Sequence, residues 1–238
     1  MKPGFPEILY FGPTGYGDEL LWGAATSLSI AILAYVLGLL IGTAGALSKL
    51  GGSALTRGIM QGYTTLVRAV PELVLILILY YAGTATINQL LTSAGYDAIA
   101  INGFAAAVLV LGFVQGAYST EVLRAAIQAI PIGQIEAARA FGMSPWLIFR
   151  RVTLPSMLPY AIPGLANLWL IVTKDTALIA VVGYTELALA TRQAAGNTKM
   201  YFTFFIAAGL IYLTITLVSQ KGFALLERRV RRGQRKLA

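Results

Sequence analysis

Five long apolar stretches constrain this chain more than any other feature, because a helix needs about 20 apolar residues to cross a bilayer. They cover residues 20–47, 59–81, 101–128, 157–182 and 200–218. The chain of 238 residues is 57% hydrophobic and only 12% charged, whereas soluble domains have about 25% charged residues. The sequence therefore predicts an all-α integral membrane protein with five transmembrane helices. Glycine pairs in GxxxG spacing, which allow close helix packing, lie in the first stretch (Gly38, Gly42) and the third (Gly112, Gly116).

The distribution of Lys and Arg predicts the orientation of these helices. Five spans place the two termini on opposite sides, and the side with more basic residues faces the cytoplasm. One side has thirteen basic residues, namely Lys49, Arg57, Arg124, Arg139, Arg150, Arg151, Lys221 and the six of the C-terminal tail. The other side has three, Lys2, Arg192 and Lys199. We therefore expect residues 1–19 to be periplasmic, residues 20–222 to form the transmembrane domain, and residues 223–238 to be a basic cytoplasmic tail.

Several kinds of chemistry are excluded by composition. The sequence has no cysteine and no histidine. It therefore has no thiolate and no imidazole base, and it lacks histidine, the commonest metal ligand. It also lacks the GxxxxGK[ST] phosphate-binding pattern. We predict no catalytic residues, no metal, no cofactor and no enzymatic activity in this chain. The basic tail is expected to lie beside an anionic membrane face, and nucleic acid is not an expected partner.

The longest polar interruption between apolar stretches is the loop at residues 134–155, which charge places in the cytoplasm. Its residue types favour a helix over residues 134–141, which Gly142 would end in a left-handed conformation. Ser144 followed by Pro145 is typical of a new helix start. We expect Pro155 to end that second helix.

This loop resembles the EAA loop of bacterial ABC importer permeases. The pattern runs Glu-Ala-Ala, three residues, Gly, nine residues, an aliphatic residue, any residue, then Leu-Pro. It is matched by Glu136, Ala137, Ala138, Gly142, Val152, Leu154 and Pro155, with valine in place of the usual isoleucine. The resemblance implies that the loop is the coupling helix that docks on a separate ATPase subunit. The purely structural alternative is an ordinary amphipathic hairpin between two membrane helices.

Four ionisable residues lie deepest within the apolar stretches, where each charge costs roughly 2.5–3.5 kcal/mol. Arg68 and Glu72 are four residues apart, so on one helix they would share a face and could neutralise each other. Pro71 between them would kink that helix. Lys174 and Asp175 are adjacent and cannot face each other on a regular helix. They suit a zwitterionic ligand, but Lys174 could instead reach an interface while Asp175 pairs with Arg68.

The same charges resemble those of the polar amino acid permeases. The stretch at residues 66–73 is similar to their Arg-x-x-Pro segment, although Ala69 stands where glycine is usual. Residues 174–178 are similar to their Lys-Asp-Thr-Ser-Leu segment, with Ala177 replacing serine. The resemblance covers about residues 20–222. It implies a substrate pocket formed by Arg68, Glu72, Lys174, Asp175 and Thr176, with Lys174 near the substrate carboxylate. An acidic residue after the proline is similar to the members that serve arginine, histidine or opines.

The resemblance implies the type I ABC importer fold and a permease subunit in the bacterial inner membrane. We predict import of a polar, in particular basic, amino acid, with glutamine or glutamate as the alternative substrate class. Implied partners are two ATP-binding subunits, a second permease that is homologous or identical, a periplasmic substrate-binding protein and membrane lipid. The rival functions are an ion-coupled secondary transporter that uses Glu72 and Asp175, and a non-transporting membrane scaffold.

Overall fold

Helices make up nearly all of the chain in this computed structural model, which describes residues 9–12, 15–99 and 102–231. Within those ranges we number eight helices in chain order. They are α1 (Gly17–Gly51), α2 (Ala54–Ala69), α3 (Glu72–Ser93), α4 (Gly103–Gln128), α5 (Ile132–Ala140), α6 (Pro145–Val182), α7 (Leu187–Thr198) and α8 (Tyr201–Val230). Parts of the predicted N-terminal segment (1–8, 13–14) and of the predicted tail (232–238) lie outside the described residues.

Five of these helices, α1, α3, α4, α6 and α8, are long and apolar enough to cross a membrane. The described residues therefore confirm the number of spans expected from the sequence. The first and fifth helices are longer than predicted because they continue beyond their apolar residues, and the third is Gly103–Gln128. The α8 helix, for example, runs on to Val230 rather than ending at residue 218.

The predicted bounds of the second span, residues 59–81, are wrong. The chain leaves helical geometry at Val70 (φ −101°, ψ 138°) and Pro71 (φ −55°, ψ 134°), so α2 ends at Ala69 and a new helix begins at Glu72. A proline disfavours helical geometry in the residue before it, which explains why the break falls there. The span is instead α3, which includes residues 83–93 beyond the end of the predicted stretch. It contains a π-helical turn at Ile78–Ala82.

Close packing of α1 against α4 forms the centre of the fold. A Cβ atom added at Gly38 would lie 2.5 Å from Cγ of Gln115, and one added at Gly116 would lie 2.6 Å from Cγ2 of Ile41. Each helix thus packs its glycines against side chains of the other, which confirms the role expected of the two GxxxG pairs. Beside this contact lies a buried cluster that also draws on α3 and α6, including Ile30, Ala34, Ile76, Leu111, Val172 and Ile179.

A buried carboxylate joins the first and last spans to the connection between the fourth and fifth. Glu186 is fully buried and caps α7 by accepting a hydrogen bond from the Leu189 amide at 2.9 Å. It also accepts from the hydroxyls of Ser27 on α1 (2.9 Å) and Tyr212 on α8 (3.3 Å). Burial raises the pKa of Glu186 above its usual value. The segment between the fourth and fifth predicted stretches is therefore largely a helix with a buried face.

We expect Glu186→Ala to destabilise the protein strongly. The substitution leaves the Leu189 amide and the Ser27 and Tyr212 hydroxyls buried without their acceptor, at a cost of about 3 kcal/mol or more. The apparent melting temperature of the purified protein in detergent should fall by about 6 °C or more. The control is Gln193→Ala on the exposed side of the same helix, which should leave the melting temperature unchanged. Equal melting temperatures for the two variants would contradict this account.

Candidate functional site

The polar loop folds as the sequence predicts at its first turn. Helix α5 ends at Ala140, and Gly142 follows with a left-handed φ of 71°. The Met143 amide donates to the Ala138 carbonyl (3.2 Å) and the Gly142 amide donates to the Arg139 carbonyl (2.9 Å). These two bonds form a Schellman motif. The two alanines of the Glu-Ala-Ala segment differ in burial, since Ala138 is buried while Ala137 is exposed.

The start of the next helix also follows the sequence. Ser144 is the N-cap, its hydroxyl oxygen accepts from the Leu147 amide (3.4 Å), and Pro145 is the first helical residue. The Ser156 hydroxyl donates to the side-chain oxygen of Gln134 (3.1 Å), which links α6 back to α5. The loop therefore has a defined conformation within this chain.

The expectation that Pro155 ends the second helix is wrong. A π-helical turn at Phe149–Thr153 is followed directly by α-helix from Leu154, so the chain stays helical from Pro145 to Val182. Pro155 is the second residue of the α-helical part that follows the π-helical turn. The loop and the fourth span are thus one helix, α6, rather than a loop helix followed by a separate span.

The surface of this loop is apolar as well as charged. Phe141 is 87% exposed and Trp146 is 69% exposed, and the Trp146 ring stacks on Phe149 with centroids 5.8 Å apart. Glu136 and Leu154 are exposed beside them. Exposed aromatic residues next to charges are typical of protein interfaces. The arrangement suits docking of another protein at the loop.

The predicted substrate residues lie where helices end or change form. Arg68 is in the last turn of α2 and Glu72 is the first residue of α3. Lys174 and Asp175 end the α-helical part of α6, which continues as a 3₁₀ helix from Thr176. Arg68 and Lys174 are exposed, whereas Glu72 and Asp175 are half-buried. Because the helix breaks at Val70 and Pro71, the expectation that Arg68 and Glu72 share a helix face is wrong.

The structure brings acidic groups from two helices together. The Glu72 carboxyl group lies next to that of Asp175, and the Tyr118 hydroxyl on α4 lies beside Glu72. Arg68 precedes Glu72 across the two-residue break at Val70 and Pro71. Residues from α2, α3, α4 and α6 therefore converge on one charged cluster.

The described residues contain no ion pair that neutralises this cluster internally. Their three ion pairs join Lys49 to Glu121, Arg124 to Glu121, and Arg231 to Glu227. Arg68 therefore pairs with neither Glu72 nor Asp175 within the described part of the chain, contrary to the two pairings considered from the sequence. Charges grouped without a salt bridge can interact with a charged ligand.

The two threonines next to these charges bond to the helix backbone. The Thr173 hydroxyl donates to the Trp169 carbonyl and the Thr176 hydroxyl donates to the Thr173 carbonyl, both at 2.8 Å. Thr176 is fully buried, so its hydroxyl supports the change from α to 3₁₀ geometry. Its predicted contact with substrate stays a prediction.

Sequence reasoning missed Tyr118 as a member of this cluster. Tyr118 is an uncharged residue in the third predicted span. Because tyrosine is common in membrane helices, the sequence alone did not single it out. A signal is available in hindsight, because Tyr118 lies one turn before Glu121 and so faces the same side of α4 as a charged residue. Lys49 and Glu121 were also missed, since Lys49 was assigned to a loop although it is buried in the last turn of α1.

Comparison with known proteins agrees with this architecture. A family model described as "Binding-protein-dependent transport system inner membrane component" matches residues 34–232. The chain is 43% identical to the histidine/lysine/arginine/ornithine transport system permease protein HisQ of Salmonella typhimurium, over 90% of this chain and 94% of that protein. It is 41% identical to the nopaline transport system permease protein NocQ of Agrobacterium fabrum, over 96% of this chain and 98% of that protein.

A solved structure described as an amino acid ABC transporter with histidines superposes with a TM-score of 0.76 at 30% identity. The match covers 90% of this chain and 95% of that chain. The predicted type I importer fold and inner-membrane location are confirmed, and these matches decide against a secondary transporter or a scaffold. As the sequence predicts, a permease is not itself an enzyme. The chain belongs to the family of binding-protein-dependent transport system inner membrane components, the permease subunits of ABC importers.

Proposed function

We propose that this permease moves a basic amino acid or an opine across the inner membrane. The observation that supports this most is the meeting of Glu72 and Asp175 beside Tyr118. Two neighbouring carboxylates repel each other, and a cationic substrate side chain between them would relieve that repulsion. Lys174 at the same level would attract the substrate carboxylate. The relatives named for histidine, lysine, arginine and ornithine and for nopaline support the same substrate class.

The proposed complex contains this chain, a second permease that is homologous or identical, two ATP-binding subunits and an external binding protein that delivers substrate. ATP binding would close the ATPase pair and draw the docked loops with it. Helix α6 then provides a direct mechanical path, because it runs without interruption from the loop to Lys174 and Asp175. Its 31 residues from Pro145 to Asp175 span about 45 Å at the usual helical rise. Movement at the loop would thus change access to the substrate cluster.

We expect Glu72→Gln and Asp175→Asn each to lower uptake of labelled arginine about tenfold or more in proteoliposomes with the whole importer. That factor corresponds to about 1.4 kcal/mol of lost interaction with the substrate cation. Lysine, ornithine and histidine should compete with arginine, whereas glutamine and glutamate should not. The control is Asp97→Asn, an exposed carboxylate in the connection after α3. Competition by glutamine equal to that by arginine, with uptake intact in both variants, would contradict the proposal.

Gly142 offers a test of the coupling role of the loop. Alanine at a left-handed backbone position costs roughly 1–2 kcal/mol, and no neighbouring atom crowds Gly142, so Gly142→Ala changes only backbone preference. Transport per ATP hydrolysed should fall severalfold, measured as uptake and ATPase activity in the same proteoliposomes. The matched control, Gly133→Ala, is equally uncrowded but lies within α5 at ordinary helical geometry. The proposal fails if both variants couple normally.

The orientation proposed from charge can be measured directly because the chain has no cysteine. A membrane-impermeant maleimide added to intact spheroplasts should label Gln193→Cys on α7 and not Ala140→Cys on α5, since both positions are exposed but on opposite sides. Permeabilised cells should show labelling of both variants. The reverse pattern in intact spheroplasts would place the loop outside and invert the orientation.

A further inference from the structure

A buried lysine at the end of the first span makes three short polar contacts that no transport step described above uses. The Lys49 side chain is only 4% exposed. Its ammonium group donates to the side-chain oxygens of Glu121 (2.5 Å), Thr64 (2.5 Å) and Gln61 (2.8 Å). These three acceptors satisfy all three ammonium hydrogens. Lys49 therefore links α1 to α2 and to α4 at a single point.

The acceptor on α4 is itself held in place. The second carboxylate oxygen of Glu121 accepts from Nε (3.1 Å) and Nη2 (2.7 Å) of Arg124 one turn later. Glu121 is thus fixed between two cations, and its 18% exposure is low for a charged side chain. A charged group in such a setting keeps its position because moving it away from its partners would leave a buried charge unpaired.

The other contacts of α2 with the rest of the chain are mainly apolar, since Val67 packs with Val114 and Ala117 of α4. Only Thr64 and Val67 of its residues are buried, and its remaining hydrogen bond to α4 runs from the Tyr63 hydroxyl to the Phe113 carbonyl at 2.5 Å. In the described part of the chain, the Lys49 ammonium group supplies the side-chain hydrogen bonds that join α2 to α1. The position of α2 in turn decides where Arg68 and Glu72 lie. Arg68 is in the last turn of α2, and Glu72 is the first residue of α3.

The Lys49 contacts lie one helical turn from the substrate cluster on both helices that they join. On α2, Thr64 precedes Arg68 by four residues, and on α4, Glu121 follows Tyr118 by three. Residues three or four apart on a helix are neighbours on one face. We infer that Lys49 is a positioning residue for substrate binding, which holds Arg68 and Glu72 in register with Tyr118 without touching the substrate. This inference deepens the proposed function and rests on it.

The test compares substrate binding with ATPase activity in the purified permease–ATPase complex without the binding protein. Lys49→Met removes the ammonium group and keeps an unbranched apolar side chain. We expect its Kd for labelled arginine to rise at least tenfold, while basal ATPase activity per assembled complex stays within twofold of the unaltered complex. A purely structural role would instead lower assembly and leave the Kd of assembled complexes unchanged, and that result would overturn the inference.

Further variants keep the test informative if Lys49→Met does not assemble. Thr64→Val removes one acceptor with little change in shape and should raise the Kd severalfold, and Lys49→Arg should restore much of the affinity by keeping the charge. The matched control is Lys221→Met, an exposed lysine on α8, which should bind arginine normally. An unchanged Kd in Thr64→Val would count against the inference.

Failure of the proposed function gives a different result. If the unaltered complex binds neither arginine nor another basic amino acid or an opine, the proposed substrate class is wrong. The same comparison is then made with the amino acid that the uptake competition identifies. A loss of affinity in Lys49→Met for that amino acid would still support the positioning role.

Discussion

The close approach of α1 and α4 is the contact on which the rest of this fold depends. Glycines on each helix admit side chains of the other, with Gly112 packed against Leu37 and Gly38 packed against Gln115. Within a bilayer, helices gain little from hydrophobic burial, so their association depends on such tight packing and on polar contacts. A larger residue at any of these glycines would separate the two helices. It would also separate Lys49 from Glu121 and the α4 residue Tyr118 from the charges that surround it.

Polar contacts then position the remaining elements around this pair. Lys49 and Tyr63 tie α2 to α1 and α4, while Glu186 ties α7 to α1 and α8. The Tyr35 hydroxyl donates to the Leu165 carbonyl at 2.9 Å, which ties α6 to α1. The contact between α1 and α4 supplies close packing, and these few hydrogen bonds fix how the other helices are placed against it.

Features that depend on local sequence could be predicted, whereas contacts between residues that are distant in the sequence could not. The number of spans and the caps at Gly142 and Ser144 follow from composition and from the preferences of single residues. Pro71 was expected only to kink one helix, whereas it separates α2 from α3. The sequence does not show how far the direction of α2 differs from that of α3. Lys49 and Glu186 were expected in polar connections, although both are buried. Their partners come from distant segments, Glu121 for one and Ser27 and Tyr212 for the other.

The substrate cluster illustrates why helix interruptions and charges occur together in this protein. A charge at the middle of a regular span is costly, and its neighbours' backbone groups are already bonded. Arg68 lies in the last turn of one helix, Glu72 begins another, and Asp175 lies where α6 changes to 3₁₀ geometry. At each of these points backbone groups are released from regular pairing, as the Thr176 bond to the Thr173 carbonyl illustrates. Interrupting two helices at the same level thus creates a polar region inside an apolar molecule. Four charged side chains then occupy that region without a rigid salt bridge between them.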